Sequence, residues 1–238
     1  MVRDLCFSPA GDAAVLVEFG REISPEISAL VRALGDALAH RPIRGVTECV
    51  PAFCSLLVVY DPCKVGYARL VEQLRRRASA LSGREERPQR VFVLPVCYDG
   101  EDLDFVAVHA KLPKEEVIRR HSAPDYLIYM LGFLPGFAYL GGLDPAIHTP
   151  RLASPRTSIP AGAVGIGGEQ TGIYPLASPG GWQLIGRTPV RPYDPARAQP
   201  ILYAAGDCVR FVPIDEKEYH ILKKKRAAGE QIWEVQDG

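Results

Sequence analysis

Residues 129–190 read YMLGFLPGFAYLGGLDPAIHTPRLASPRTSIPAGAVGIGGEQTGIYPLASPGGWQLIGRTPV, and this stretch decides the fold. It holds 12 of the 22 glycines in the chain. Disordered linkers can be as rich in glycine, but they lack aromatic and β-branched residues. Here such residues stand between the glycines: Phe133, Phe137, Tyr139, Ile166, Ile173, Tyr174, Trp182 and Ile185. We therefore predict folded β structure in which glycines allow sharp turns or close approach of the main chain.

The same stretch is poor in charge. Charged residues make up 24% of the whole chain. Between positions 129 and 192 they are only Asp144, Arg151, Arg156, Glu169, Arg187 and Arg191. The segment is therefore expected to be buried, or to face a ligand or another protein. Most of these charges are arginine, which suits bidentate contact with carboxylate or phosphate.

Bulk composition excludes several classes of protein. The chain has 238 residues and a formal net charge of zero, which argues against a nucleic-acid binder. No apolar run approaches the roughly 20 residues that span a bilayer, and the N-terminus lacks a secretory signal pattern. The six cysteines show no metal or redox spacing and are expected to be reduced. We expect a cytoplasmic protein that binds neither nucleic acid nor membrane.

The first part of the chain predicts a small α/β domain. Strands are expected at residues 13–19, 43–50 and 53–60. One helix is expected to begin at Pro25 with Ser24 as its N-cap, and another covers residues 67–81. Strand, helix, strand pair and helix are typical of a ferredoxin-like sandwich. The polar segment 82–89 is the candidate linker, so we predict domains at 1–85 and 86–238.

The second part predicts mostly β structure. A strand at 90–98 and helices at 103–110 and 114–121 precede short strands and turns up to residue 214. A helix at 216–228 and an edge strand at 231–235 follow. Closely spaced turn signals favour a barrel or a sandwich, so the overall class is α+β.

Few motifs point to chemistry. Gly165-x-Gly167-Gly168 lacks the flanking residues of a phosphate or dinucleotide loop. The histidines show no metal-ligand spacing, so we predict no metal site in this chain. His121 follows a short helix and has two open interpretations, a general base or a cation that the helix dipole favours. Two interpretations also stay open for Gln170, Thr171, Tyr174 and Trp182, which suit either a ligand pocket or a barrel core.

Three runs carry a family resemblance: HSAPDYLIYMLGFLPGFAYLGGL, SPRTSIPAGAVGIGGEQTGIYPLASPGGWQLIGRTP and AGDCVRFVPI. They closely resemble the family of 5-oxoprolinase B-type subunits, which includes allophanate hydrolase subunit 1 and a Kip-type inhibitor of a histidine kinase. The resemblance implies that the β-rich part is a cyclophilin-like barrel. It also implies a hetero-oligomer with a C-type barrel protein and a larger A-type protein, which hydrolyses 5-oxoproline with ATP as co-substrate.

Together with the resemblance, the residue types of the glycine-rich stretch predict a candidate site. The stretch holds only two carboxylates, so a partner subunit would have to complete the site. The candidate catalytic residues are His121, Arg156 and Arg187. The candidate substrate-binding residues are Pro135, Gly136, Phe137, Gln170, Thr171, Tyr174, Gly180, Gly181 and Trp182. ATP is expected to bind to this assembly, and a partner protein is one candidate for its binding site. Ala163 stands where many relatives are expected to have serine. The alternative function is inhibition of autophosphorylation of a sensor histidine kinase, and the barrel alone suggests prolyl isomerase activity only by analogy.

Overall fold

The computed structural model describes residues 5–81 and 89–237. Contacts divide the chain into two compact units at position 87/88. Most of the predicted linker, residues 82–88, lies outside the described residues, so the domain boundary stays a prediction. In the described parts of the chain no helix is both long and apolar enough to span a bilayer.

The N-terminal unit is a sheet covered by two helices. Its described elements are β1 (Cys6–Pro9), β2 (Ala14–Glu18), α1 (Pro25–His40), β3 (Val46–Pro51), β4 (Ser55–Tyr60) and α2 (Tyr67–Ser79). The order in the sheet is β1-β2-β4-β3, with antiparallel neighbours. Alternate strand residues such as Val15 and Leu56 share one core with Leu34 of α1 and Leu70 of α2. Both helices therefore cover the same face of the sheet.

Local signals explain where these elements begin. Ser24 caps α1 by accepting a 3.2 Å hydrogen bond from the backbone N–H of Ile27, and Pro25 is the first helical residue. The ferredoxin-like arrangement is confirmed with one difference. The position of its fourth strand is filled by β1, which the sequence did not predict because Cys6–Pro9 is only four residues long. It pairs with β2 as a hairpin.

The C-terminal unit is built around a closed barrel. Its described elements are β5 (Arg90–Cys97), α3 (Leu103–Ala110), α4 (Lys114–Ser122), β6 (Tyr126–Leu131), β7 (Ala138–Gly141), a 3-10 turn (Pro145–Ile147), β8 (Arg156–Ile159), β9 (Ala163–Gly167), β10 (Gln170–Ile173), β11 (Ser178–Gly180), β12 (Gln183–Arg187), β13 (Cys208–Ile214), α5 (Glu216–Ala227) and β14 (Glu234–Asp237).

Seven strands of the described chain form the barrel in the order β12-β9-β10-β7-β6-β13-β5. It closes where Arg187 of β12 pairs with Cys97 of β5. The β5–β13 pairing is parallel, and β14 adds to β5 as an antiparallel edge strand. The predicted α+β class with a C-terminal barrel is confirmed, and the edge strand begins three residues later than the sequence predicted.

Candidate functional site

Three aromatic residues from the glycine-rich stretch lie together. Phe137, Tyr174 and Trp182 are 3%, 2% and 5% exposed, respectively. The ring centroids are 5.6 Å apart for Phe137–Trp182 and 6.0 Å for Tyr174–Trp182, with edge-to-face geometry. Such pairs stabilise beyond the apolar area that they bury. The fold thus unites three of the predicted binding residues in what we call the aromatic cluster.

Glycines make room for this cluster. A Cβ atom on Gly167 would lie 2.3 Å from Nε1 of Trp182. One on Gly180 would lie 2.5 Å from the hydroxyl oxygen of Tyr174. Any side chain at these positions would displace a ring. The expectation that glycines allow close approach of the main chain is therefore correct here, and the groups approached are aromatic rings of the same chain.

Burial accounts for the low charge of these strands. All five residues of β9 and four of the five residues of β12 are buried. Charged side chains would lose their hydration there without gaining partners.

His121 lies in the barrel interior and is fully buried. Its Nδ1 is 2.7 Å from the hydroxyl of Tyr98, and its Nε2 is 2.7 Å from Oγ1 of Thr171. Thr171 donates its hydroxyl proton to the carbonyl oxygen of Gly165 at 3.0 Å. Since that proton is used, Nε2–H of His121 donates to Thr171, and Nδ1 accepts from Tyr98. The histidine is the neutral tautomer with both nitrogens satisfied.

Burial lowers the pKa of His121 to about 3. The imidazole is therefore uncharged near neutral pH, which disfavours the interpretation as a cation at a helix end. Phe211 stacks on the ring with centroids 4.8 Å apart. The role as general base stays a prediction, and in this structure the ring has no contact with solvent.

Arg156 already binds a carboxylate of its own chain. Its Nη2 donates to both oxygens of Asp102 at 2.8 Å, and its Nη1 donates to the carbonyl oxygen of Trp182 at 3.2 Å. Asp102 also accepts from the backbone N–H of Leu184 at 2.6 Å. The pair thus ties the start of α3 to the loop that carries Trp182.

Arg187 has a similar arrangement at the end of β12. Its Nη2 lies 2.6 Å from Oδ2 of Asp99, and its guanidinium lies 4.4 Å from the ring centroid of Tyr219. The role of Arg156 and Arg187 in holding a substrate anion stays a prediction. A substrate anion would have to share or replace the aspartate that each arginine now binds.

The loop between β6 and β7 lies beside the aromatic cluster. Gly136 has a φ of +77°, and a Cβ atom there would lie 2.9 Å from Cβ of Tyr193, so glycine is required. Pro135 is exposed. Phe133 has a φ of +62° and is 62% exposed, and its ring contacts Phe137 at 5.4 Å. An exposed aromatic residue in a strained conformation is a functional hypothesis in its own right.

The remaining predicted residues divide between two faces of β10 and the loop before β12. Thr171 faces the barrel interior with His121. Gln170 is half-buried on the opposite face of the strand, together with Gly172. A Cβ atom on Gly172 would lie 3.3 Å from Cζ3 of Trp182. Gly181 is half-buried and accepts a 2.7 Å backbone hydrogen bond from Leu152.

Several residues of the site were missed by sequence reasoning. They are Tyr98, Asp99, Asp102, Phe133 and Arg151, whose guanidinium lies 5.9 Å from the Trp182 ring centroid. An aspartate before a helix is a visible signal for Asp102, but its pairing with Arg156 bridges 54 positions. Among the residues with described structure, no group of three potential ligands could hold a metal ion.

Comparison with known proteins identifies the family. The family described as carboxyltransferase domain, subdomain C and D, matches residues 5–203. The chain therefore belongs to this family of carboxyltransferase-type domains.

Within the family the sequence is similar to named enzyme subunits. It is 44% identical over 228 residues to the 5-oxoprolinase B subunit of Bacillus subtilis (strain 168), in an alignment that covers 90% of this chain and 95% of that protein. It is 41% identical over 222 residues to the 5-oxoprolinase B subunit of Escherichia coli O157:H7, with coverage of 91% and 99%. The resemblance inferred from the sequence motifs is confirmed.

A solved structure shows the same fold. The crystal structure of Kluyveromyces lactis urea carboxylase superposes with a TM-score of 0.82 at 23% identity, over 98% of this chain and 24% of that chain. This chain thus corresponds to about a quarter of that larger protein. The alternative function in histidine-kinase inhibition stays a prediction.

Proposed function

We propose that this chain is the B-type subunit of an ATP-dependent 5-oxoprolinase, which opens 5-oxo-L-proline to L-glutamate together with partner subunits. The observation that carries this proposal is the 44% identity to a 5-oxoprolinase B subunit over 95% of that protein's length.

The chemistry explains the need for ATP. Resonance makes the lactam carbonyl a poor electrophile. Transfer of the γ-phosphoryl group of ATP to the lactam oxygen forms a C–O–P linkage and releases ADP. Water then adds to the activated carbon, and the ring C–N bond breaks as the nitrogen takes up a proton, which leaves the acyl phosphate of glutamate. A second water hydrolyses this acyl phosphate to glutamate and inorganic phosphate.

This chain would contribute an apolar wall of the substrate site. The aromatic cluster, the exposed ring of Phe133 and the amide of Gln170 lie on or beside one face of the barrel. Small-molecule pockets combine such apolar walls with a few polar groups that orient the ligand. A five-membered lactam ring with one carboxylate has a matching size and polarity.

The acid–base groups would come from partner subunits. His121 is buried and neutral, and Asp99 and Asp102 each bind an arginine. These titratable groups are therefore already engaged within the chain. This supports a role as one part of an assembly. The assembly that we propose contains a C-type barrel protein and a larger A-type protein, and a partner protein is one candidate for the ATP site.

Reconstitution tests the proposal. The chain is co-purified with the products of the neighbouring subunit genes, and glutamate release from 5-oxoproline and ATP is measured. We expect turnover only when all subunits are present. Equal turnover in a mixture that lacks this chain would overturn the proposal, as would failure of the complete mixture to release glutamate.

A further inference from the structure

A small cavity lies between the segment after β12 and helix α5. Its volume is about 200 Å³. The described residues that line it are Ala161, Gly162, Thr188, Val190, Arg191, Tyr219, Lys223 and Arg226. None of the predicted site residues is among them, so the cavity is distinct from the aromatic cluster.

The charges of this lining have one sign. Arg191, Lys223 and Arg226 are cations, and no described lining residue is acidic. Lys223 and Arg226 are three residues apart on α5 and so share a face of that helix. Arg226 is partly buried and is held by a 2.7 Å hydrogen bond from Nη1 to the carbonyl oxygen of Pro189.

The positive charge is only weakly compensated. Burial lowers the pKa of Arg226, and repulsion from Arg191 lowers it further. Tyr219 and Asp194 act in the opposite direction, and of these two only Tyr219 lines the cavity. Like charges at one cavity repel each other, and a bound anion would offset that repulsion.

Neutral groups add hydrogen-bonding capacity. Thr188 is 3% exposed, and its Oγ1 accepts a 3.1 Å bond from the backbone N–H of Val190. Its own hydroxyl proton can therefore be donated. The ring of Tyr219 forms another wall of the cavity. The guanidinium of Arg187, which binds Asp99, lies 4.4 Å from the centroid of this ring.

We propose that this cavity binds a small anion with two or more negative charges, of the phosphate or carboxylate class. Two arginines and a lysine provide the charge-assisted hydrogen bonds that such anions require. The volume is below the range of about 300–1,000 Å³ that holds drug-sized ligands, which favours a small anion. This site goes beyond the proposed function and is tested on the chain alone.

Isothermal titration calorimetry of the purified chain provides the test, with inorganic phosphate and succinate, a dicarboxylate without an ammonium group, as separate probes. We expect one of them to bind at one site, with affinity that falls as sodium chloride is added. The stronger probe identifies the phosphate or the carboxylate source. Arg191→Gln and Lys223→Gln should each weaken binding about tenfold or more.

Lys224→Gln is the matched control, because Lys224 carries the same charge on the same helix and is exposed outside the cavity. It should change binding less than about twofold. If Lys223→Gln and Lys224→Gln weakened anion binding equally, the binding would depend only on general surface charge. That result would overturn the proposal. Absence of binding of both probes to the wild-type chain would also overturn it.

Discussion

Individual glycines determine how the aromatic cluster packs. The indole of Trp182 lies directly over Gly167, where even one methyl group would be too close. Gly181 precedes the tryptophan in the chain and has only ordinary contacts of 3.7 Å or more at the position of a Cβ atom. Both glycines lie beside the same residue, yet only Gly167 is sterically required there.

Gly167→Ala should lower the free energy of unfolding by about 1–3 kcal/mol, because the ring must shift to accept the methyl group. Gly181→Ala should change it by less than about 0.5 kcal/mol. Urea unfolding followed by tryptophan fluorescence measures both, since Trp182 and Trp233 lie in the same unit. Equal stability of the two variants would show that the ring adapts without strain.

The burial of His121 predicts how the stability of the protein depends on pH. Its pKa is lowered to about 3 in the folded chain, whereas a free histidine has a pKa of 6.5. Between these values the unfolded chain binds more protons, so stability present above pH 6.5 is lost as pH falls toward 3. The loss should be roughly 1–2 kcal/mol between pH 7 and pH 5.

Nitrogen NMR of the imidazoles checks this directly. At pH 5 His121 should remain the neutral Nε2–H tautomer. A protonated His121 at pH 5 would contradict the directed chain of hydrogen bonds from Tyr98 to Gly165.

At the scale of elements, the Arg156–Asp102 pair joins parts that lie far apart in sequence. It links β8, the start of α3 and the loop before β12. Asp102 is mostly buried, with a side chain 13% exposed. Removing Arg156 leaves the Asp102 carboxylate without a cation, which is the costly situation for a buried charge. Removing the charge of Asp102 leaves Arg156 the exposed Glu101 as an acidic partner, 3.0 Å from its Nε.

Asp102→Asn and Arg156→Ala should therefore lower glutamate release by the reconstituted enzyme to a similar extent, about tenfold, because each frees the Trp182 loop. Arg75→Ala, on the exposed side of α2, is the control and should retain full turnover. A much larger loss in Arg156→Ala than in Asp102→Asn would instead show that this guanidinium contacts substrate.

The sequence predicts a feature well when the interacting residues lie close together along the chain. Helix α1 was predicted from Ser24, Pro25 and an apolar stripe, all of which are local. The aromatic cluster was anticipated only as a set of residue types, since its members meet through strand pairing. Asp102 lies 54 positions from Arg156, and Thr171 lies 50 positions from His121. These pairings follow from the formation of the barrel, which no local pattern encodes.

At the scale of the whole molecule, the two units have separate hydrophobic cores. Leu34, Leu56 and Leu70 belong to one core, and Tyr126, Ile166 and Phe211 belong to another. A core of its own is what allows a domain to fold independently.

Fragments 1–85 and 86–238 should therefore each fold when expressed alone. Dispersed amide signals in proton–nitrogen NMR spectra, superimposable on most signals of the full chain, are the expected result. A collapsed spectrum for both fragments would show that neither core suffices without the other unit.

The closure of the barrel has a consequence for its internal motions. Strands β5 and β13 pair over seven residues, whereas β5 and β12 meet at the single pair Arg187–Cys97. Backbone bonds from Gly100 to Ile185 and from Asp102 to Leu184 continue this seam beyond the strand. Amide protons along the seam should thus exchange with deuterated solvent before those of β13, because local opening there breaks fewer bonds than separation of the seven-residue β5–β13 pairing. The barrel would then open locally along this seam, beside the two aspartates that hold Arg156 and Arg187.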